Sequence, residues 1–347
     1  MKVLEVGYFM TWAENYGSGF EVQRCAWRGR GMSPSDWPGP WESIRELRTV
    51  LSSCRPGDFD AIVCAALGRS YRERGLQRWS KYFYETIIAK LVCAIASKCR
   101  APLAVIDISD DLTIHPVNVT LIRGAGIYFK RELPLDPYHA LDSMRLSKAR
   151  TVAIGFRRDE EVNTLMQKLE PISLGCRESE PVVESVPVPE KKWDLFYAGT
   201  AEAKPRRDGI TEALEQLSRE GIKVHFPQDR LTFDEYIEAL RQSRLALSPP
   251  GLGWDCHRHY EAALAGTAPV LPFPTIKRQH PLLDGEHCFF YDPEKNLADQ
   301  VRRMLGQPER LERVSLASKN WVEKNHTHEA RYRWVVEQAA GQGQQAD

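Results

Sequence analysis

Apolar residues follow two spacings along this chain, and the switches between them mark its elements. Short apolar runs at 2–9, 59–67, 102–108, 126–129 and 150–154 have the length and β-branched content of buried strands. A second set follows at 194–198, 223–226, the start of 245–273, the end of that stretch, and 288–291. Between them the spacing changes to that of helices. Ile44, Leu47, Val50 and Leu51 share one face over 41–54, and Ile87, Ile88, Leu91 and Ile95 share one over 79–98. Helical spacing returns before 219, over 233–242 and 296–305, and from 307 to about 338. Thr232 with Glu235 three residues on is a capping box for the 233–242 helix. Strands alternating with helices predict parallel sheets covered on both faces. Such sheets place ligand-binding residues just beyond the carboxyl ends of their strands.

The pattern fails in three places. Residues 10–40 are rich in Gly, Trp and Arg, including Arg24, Arg28 and Arg30, and read as a long loop. Residues 159–192 lose both periods, and 178–192 (ESEPVVESVPVPEKK) read as an extended connection. The terminal GQGQQAD has too little apolar content to order itself. A length of 347 residues exceeds what one core usually covers. The expected plan is a first domain over 1–170, a linker over 171–192 and a second domain over 193–335. The last helix is expected to cross to the first domain, with a disordered tail over 336–347.

Composition narrows the classes. Lys plus Arg and Asp plus Glu both number 47, so net charge does not point to nucleic acid or to a membrane surface. The eight cysteines form no C-x-x-C pair and sit mostly in apolar runs, as in IVCAAL, which fits reduced buried thiols. The N-terminus enters a strand directly, and the apolar run 87–96 is short of the ~20 residues a spanning helix needs. The expected location is the cytoplasm, with peripheral association at the inner membrane face allowed.

The stretch 245–273, LALSPPGLGWDCHRHYEAALAGTAPVLPF, concentrates the chemistry. A strand breaks into Ser248-Pro249-Pro250-Gly251-Leu252-Gly253, and a helix follows. A glycine-rich loop feeding a helix N-terminus brings backbone N–H groups and positive potential toward an anion. A plain strand-to-helix turn has the same composition. Trp254, His257, Arg258 and Glu261 share one face if all four are helical. An Arg near a helix N-terminus opposes the helix dipole unless an anion is present, and its fork suits phosphate oxygens. Glu261 at the edge of a small-residue run can accept two hydrogen bonds from a ribose diol. An Arg258–Glu261 pair along the helix is the alternative, worth a few tenths of a kcal/mol. Cys256, His257 and His259 offer metal-ligand types, but with only two on one face no metal is expected. Asp110, Asp111 and His115 follow the 102–108 strand, where they suit either base chemistry or the capping of a turn.

The pattern S-P-x-G-x-G-x-x-x-x-R-x-x-E-A-x-x-x-G-x-x-P-V resembles the nucleotide-sugar motif of GT-B glycosyltransferases. It is closest to the group-1-like spore-maturation type and to exostosin-like domains. The similarity is specific over about 193–335 and thin over 1–150. It implies an α/β, GT-B fold of two Rossmann-like parallel-sheet domains facing a cleft. It further implies a glycosyltransferase moving a sugar from a nucleotide-diphosphate sugar to a hydroxyl acceptor on a glycan or lipid-linked glycan. Glu261 would hold the ribose, and Arg258 with the amides of Gly251 and Gly253 the diphosphate. Pro250, Trp254 and His257 would line that site, and Gly199 with Lys204, Arg206 or Arg207 would complete the clamp. Many relatives carry an acid eight positions before the ribose-binding Glu, where this chain has Gly253.

Cationic side chains and a helix N-terminus can stabilise a departing diphosphate, and no Asp-x-Asp follows a strand in the second half. Metal-independent transfer without a cofactor is therefore expected. Inversion at the anomeric carbon would use Asp110, Asp111 or His115 as base. The alternatives are another transferase on the same fold, such as a pyruvyl transferase or one glycosylating protein or DNA, and a non-catalytic nucleotide-binding scaffold.

Overall fold

The computed structural model describes residues 1–8, 20–28, 40–68, 76–141, 144–146, 150–152, 159–176, 189–199, 209–227 and 229–344. The chain divides into two compact units, one of residues 1–172, 276–279 and 331–347, the other of 173–275 and 280–330.

In the first unit the strands are β1 (Lys2–Tyr8), β2 (Glu21–Arg28), β3 (Ala61–Ala65), β4 (Leu103–Asp107), β5 (Ile127–Lys130) and β8 (Leu169–Pro171). They form a parallel sheet in the order β2-β1-β3-β4-β5-β8. A separate antiparallel pair joins β6 (Met144–Leu146) to β7 (Arg150–Val152). Side chains alternate across each strand, so the sheet has two apolar faces to cover. Leu4, Ile62, Cys64, Leu103, Val105 and Tyr128 face one way. They pack with Leu47 of α1 (Pro40–Ser53), Val92 and Ile95 of α2 (Leu76–Cys99), Leu121 and Ile122 of α3 (Val119–Gly124), and Leu165 of α4 (Asp159–Met166). Val3, Val63, Ala65, Ala104, Ile106 and Phe129 face the other way, against Tyr332, Val335, Val336 and Ala339.

Those four residues belong to the last helix of the chain, which therefore completes the first unit's core. The helix runs through Gln344, so order extends past the 336 boundary expected from the polar tail. The reason is packing: Val336 and Ala339 are fully buried.

The expected loop over 10–40 needs a second correction. Its residues 21–28 form β2, an edge strand whose exposed Glu21, Gln23 and Arg24 hide the apolar period. Arg24 donates from Nε to Glu5 Oε2 on the neighbouring strand at 3.3 Å. The side chain of Arg28, and Arg30 as a whole, lie outside the described residues.

The second unit holds β9 (Trp193–Phe196), β10 (Val224–His225), β11 (Ser243–Leu247), β12 (Ala268–Pro272) and β13 (Phe289–Tyr291), parallel in the order β10-β9-β11-β12-β13. Its helices are α5 (Ile210–Arg219), α6 (Phe233–Arg241), α7 (His257–Leu264), α8 (Leu297–Leu305) and α9 (Pro308–Asn325), and α10 (His328–Gln344) begins here. The capping box at α6 forms as expected, with Thr232 Oγ1 accepting from Glu235 N and Glu235 Oε2 accepting from Thr232 N. Strand order reverses between β9 and β11. Such a switch point opens a crevice at the carboxyl ends of the two strands.

At the opposite end of this sheet, Lys191 Nζ donates to the carbonyls of Arg241 (2.9 Å) and Gly266 (2.8 Å), closing the C-termini of α6 and α7. Burial, with the charges of Arg241 and Arg244, lowers its pKa to about 8. From about pH 8 up to the ordinary lysine range the folded chain then binds fewer protons than the unfolded chain. This lysine's contribution to stability accordingly rises with pH over that window. The stability of wild type minus that of Lys191→Met, measured by urea denaturation, should grow between about pH 8 and about pH 10.

Candidate functional site: the strand ends of the second unit

Each helix of a parallel α/β unit begins near the carboxyl edge of the sheet, so the loop after β11 and the first turns of α6 and α7 meet there. Ser248 to Cys256 form the loop, and α7 starts at His257 with Cys256 as its N-cap. Trp254 therefore precedes the helix and does not share a helical face with Arg258 and Glu261. The indole is buried instead, donating from Nε1 to the carbonyl of Phe273 at 3.1 Å.

Short contacts shape the loop. His259 Nε2 lies 2.8 Å from the carbonyl of Trp254, and a carbonyl only accepts, so Nε2 carries the proton. Nδ1 lies 2.8 Å from Ser248 Oγ. The amide of Gly251 donates to Cys256 Sγ at 3.1 Å. Asp255 is buried and carries two anchors: Oδ2 accepts from the amide of Leu174, and Oδ1 accepts from Tyr260 Oη, each at 2.5 Å. His257 Nδ1 donates to the carbonyl of Gly175 at 2.7 Å. Cys256, His257 and His259 thus fasten the loop and the segment 174–175. Among the described residues no group of three or more His, Cys, Asp or Glu side chains has metal-holding geometry.

Arg258 occupies the switch point. Its Nη1 donates to the carbonyl of Ala198, just past β9, at 3.3 Å, and its Nη2 to the carbonyl of Pro249, just past β11, at 3.0 Å. Its buried Nε has no hydrogen-bond partner among the described residues. The guanidinium thus ties together the two strand ends and does not pair along the helix with Glu261. Gly199 is the next residue after Ala198, and Pro250 and Gly251 follow Pro249, all half-buried, with Gly253 buried. Glu261 is 3% exposed and accepts from Tyr236 Oη of α6 at 3.0 Å. The helix ends as its sequence implies, with Gly266 at φ 71° and the amide of Thr267 donating back to the carbonyl of Ala262. Lys204, Arg206 and Arg207 lie outside the described residues.

In the first unit, the acids after β4 have distinct surroundings. Arg131 Nη1 donates to Asp110 Oδ1 at 2.7 Å. Asp111 is half-exposed. His115 caps the turn Pro116–Asn118, its Nδ1 accepting from the amide of Val117 at 3.3 Å. Its ring also packs on Gly68, where an added Cβ would come within 2.6 Å of Nδ1.

A buried network lies beside them. Asp107 accepts from Ser109 Oγ (2.6 Å) and Tyr128 Oη (3.0 Å), and Lys130 Nζ sits 3.5 Å from its Oδ2. Burial alone would raise the pKa of Asp107, but the Lys130 ammonium and the hydrogen bonds from Ser109 and Tyr128 outweigh it and hold the carboxyl below its ordinary value. Sequence reasoning placed Lys130 on the strand rim but missed this pairing. No spacing rule links 107, 109, 128 and 130, because two adjacent strands bring them together. Tyr236 was also missed, although the capping box at Thr232 fixes where its helix begins.

Lys130→Met should leave Asp107 buried without its counter-charge and destabilise the first unit by about 3–5 kcal/mol in urea unfolding. The stability contribution of Asp107 itself should be full above about pH 4 and fade as pH falls below it.

Residues 206–337 match a family model described as glycosyl transferase-like. A comparison with curated proteins finds no match. Among solved structures, the chain is similar to the HepE protein of Anabaena, solved in complex with UDP. The identity is 12%, with a TM-score of 0.50, covering 98% of this chain and 100% of that one. It is also similar to a sucrose-phosphate synthase from Thermosynechococcus elongatus, at 10% identity and a TM-score of 0.51, covering 99% and 98%. The N-terminal domain of trehalose-6-phosphate phosphatase from Candida albicans aligns at 12% identity and a TM-score of 0.52, covering 97% of each. At these identities the likeness is one of fold.

Proposed function

We propose that the chain is a glycosyltransferase of the GT-B fold, as the family match over residues 206–337 and the likeness of fold support, and that its second unit holds a nucleoside diphosphate sugar at the β9/β11 switch point. The observation that carries this reading is Arg258. A cation bridges the ends of two parallel strands, beside a glycine-bearing loop and the N-terminus of α7, with Glu261 one turn further on.

In this reading the amides of Gly199 and Gly253 and the charge of Arg258 face the diphosphate, joined by Lys204, Arg206 or Arg207, while the Gly251 amide, expected there from the sequence, is taken by Cys256 Sγ. Pro250, Trp254 and His257 shape the walls, and Glu261 accepts from the ribose hydroxyls. Charge builds on the diphosphate as the bond from the anomeric carbon to its oxygen breaks. Fixed N–H groups and a guanidinium stabilise that charge without reorganising, so this chemistry runs without a metal ion. The electron pair of the breaking bond leaves with the diphosphate, and the acceptor oxygen forms the new bond to the anomeric carbon.

We assign the acceptor to the first unit, as a hydroxyl on a glycan or lipid-linked glycan. In an inverting transfer the acceptor proton goes to a base there, with Asp110, Asp111 and His115 as the candidates. Asp110 is held by the Arg131 guanidinium. His115 already accepts a backbone N–H at Nδ1. Among the described residues no helix is long and apolar enough to cross a membrane. Six of the eight thiols are buried, in keeping with a reducing, cytoplasmic setting.

UDP, GDP or ADP at millimolar concentration should raise the melting temperature of the wild type by several degrees, at 100-fold excess over Kd stabilising by about 2.7 kcal/mol. No shift with any of them removes the donor site. Glu261→Ala should weaken nucleotide binding by tenfold or more, since hydrogen bonds to a charged group are worth about 1.5–3 kcal/mol. Asp111→Asn should leave binding intact and lower kcat by about 100-fold or more. Turnover of a UDP-, GDP-, ADP- or CMP-sugar screened for hydrolysis should persist in EDTA.

A further inference from the structure

The carboxylate of Glu261 is buried at the rim of the second unit, and a different helix supplies a hydrogen bond to it. Tyr236 lies in the first turn of α6, one residue after the capping-box Glu235. It is 7% exposed, with its ring 5.8 Å from Phe196 on β9 and 6.3 Å from Phe233. Ala262 and Ala265 of α7 belong to the same apolar cluster as Tyr236, so the two helices pack through small side chains. The capped first turn and this packing fix the phenol, and its hydroxyl donates to Glu261 Oε2 at 3.0 Å.

The last torsion of a glutamate is broad and roughly two-fold, so an unassisted carboxylate does not hold one plane. A charge-assisted O–H···O⁻ bond from a rigid donor sets that plane. A carboxylate has about four lone-pair sites, and the phenol takes one of them. That bond fixes the direction in which the carboxylate faces.

We propose that Tyr236 is the positioning residue for Glu261, presenting its carboxylate to the 2′- and 3′-hydroxyls of the donor ribose. The proposal rests on the donor-site reading above and adds a determinant of its selectivity: the preference for a ribonucleotide over a deoxyribonucleotide depends on a hydroxyl that does not touch the ligand. Removing that hydroxyl leaves the ring, the helix packing and Glu261 in place, while the carboxylate loses its fixed plane.

The test is calorimetric titration with UDP and 2′-deoxy-UDP, with GDP and ADP and their 2′-deoxy forms in parallel. It uses wild type, Tyr236→Phe, Glu261→Gln and the double variant. The wild type should favour the ribonucleotide by roughly tenfold or more, and Tyr236→Phe should reduce that preference to about threefold or less. Glu261→Gln should reduce it as well, and adding Tyr236→Phe to it should change nothing further, as for two residues acting through one contact. A purely structural role would lower the melting temperature of Tyr236→Phe and leave the ribose-to-deoxyribose ratio at its wild-type value, and that result overturns the proposal. If the wild type binds a nucleotide but does not distinguish the two sugars, the role of Glu261 fails and the proposal fails with it. If the wild type binds none of these nucleotides, the donor site is lost too.

Discussion

A parallel strand covered on both faces holds a charge only where a counter-charge meets it, as Arg24 meets Glu5 and Lys130 meets Asp107, so polar chemistry collects where the strands stop. Strands β3, β4, β5 and β12 are buried from end to end, and the charged groups discussed for ligand chemistry lie after a strand or within the helix that follows it. The same constraint makes those strand ends difficult places to leave a backbone carbonyl. In the second unit Arg258 answers that need for Ala198 and Pro249. One side chain thereby serves as a structural tie and, in the donor site we propose, as the positive charge.

The loop around it is held by side chains that a motif search reads as ligands. His259 spans Ser248 and the carbonyl of Trp254, and His257 reaches Gly175. Asp255 joins Leu174 to Tyr260. Each such bond adds about 1 kcal/mol net, but leaving a buried partner unsatisfied costs about 1–3 kcal/mol, so the set specifies one loop conformation. A preset loop is what stabilising charge in a transition state requires, because donors already in place need no reorganisation during transfer. Glu261 follows the same logic at one remove, its carboxylate oriented by Tyr236.

Much of this was legible along the chain. The alternation of apolar runs and helical faces gave two parallel-sheet units, and the glycine after α7 and the box before α6 marked real helix ends. The order of residues 248–261 announced a strand-loop-helix with an Arg and a Glu in it. Reading failed where local pattern and final environment differ. Strand β2 is an edge strand, and its polar residues mask the period. Residues 336–344 look too polar to order, yet Val336 and Ala339 find a sheet face to cover. Trp254 has helical spacing from Arg258, but the helix begins three residues after it.

The sequence alone determined the class of the fold, the family resemblance of its second half and the residue types at the candidate donor site. Periodicity, glycine and capping chemistry act over a few residues and survive in any context. Only the tertiary structure decided what those residues touch. The last helix completes the first sheet, Lys130 neutralises Asp107, Arg258 ties two strand ends and Tyr236 aims Glu261. Each of these joins groups far apart in the chain or carried on separate strands and helices. The crossover order of the strands brings them together, and no local spacing records that order.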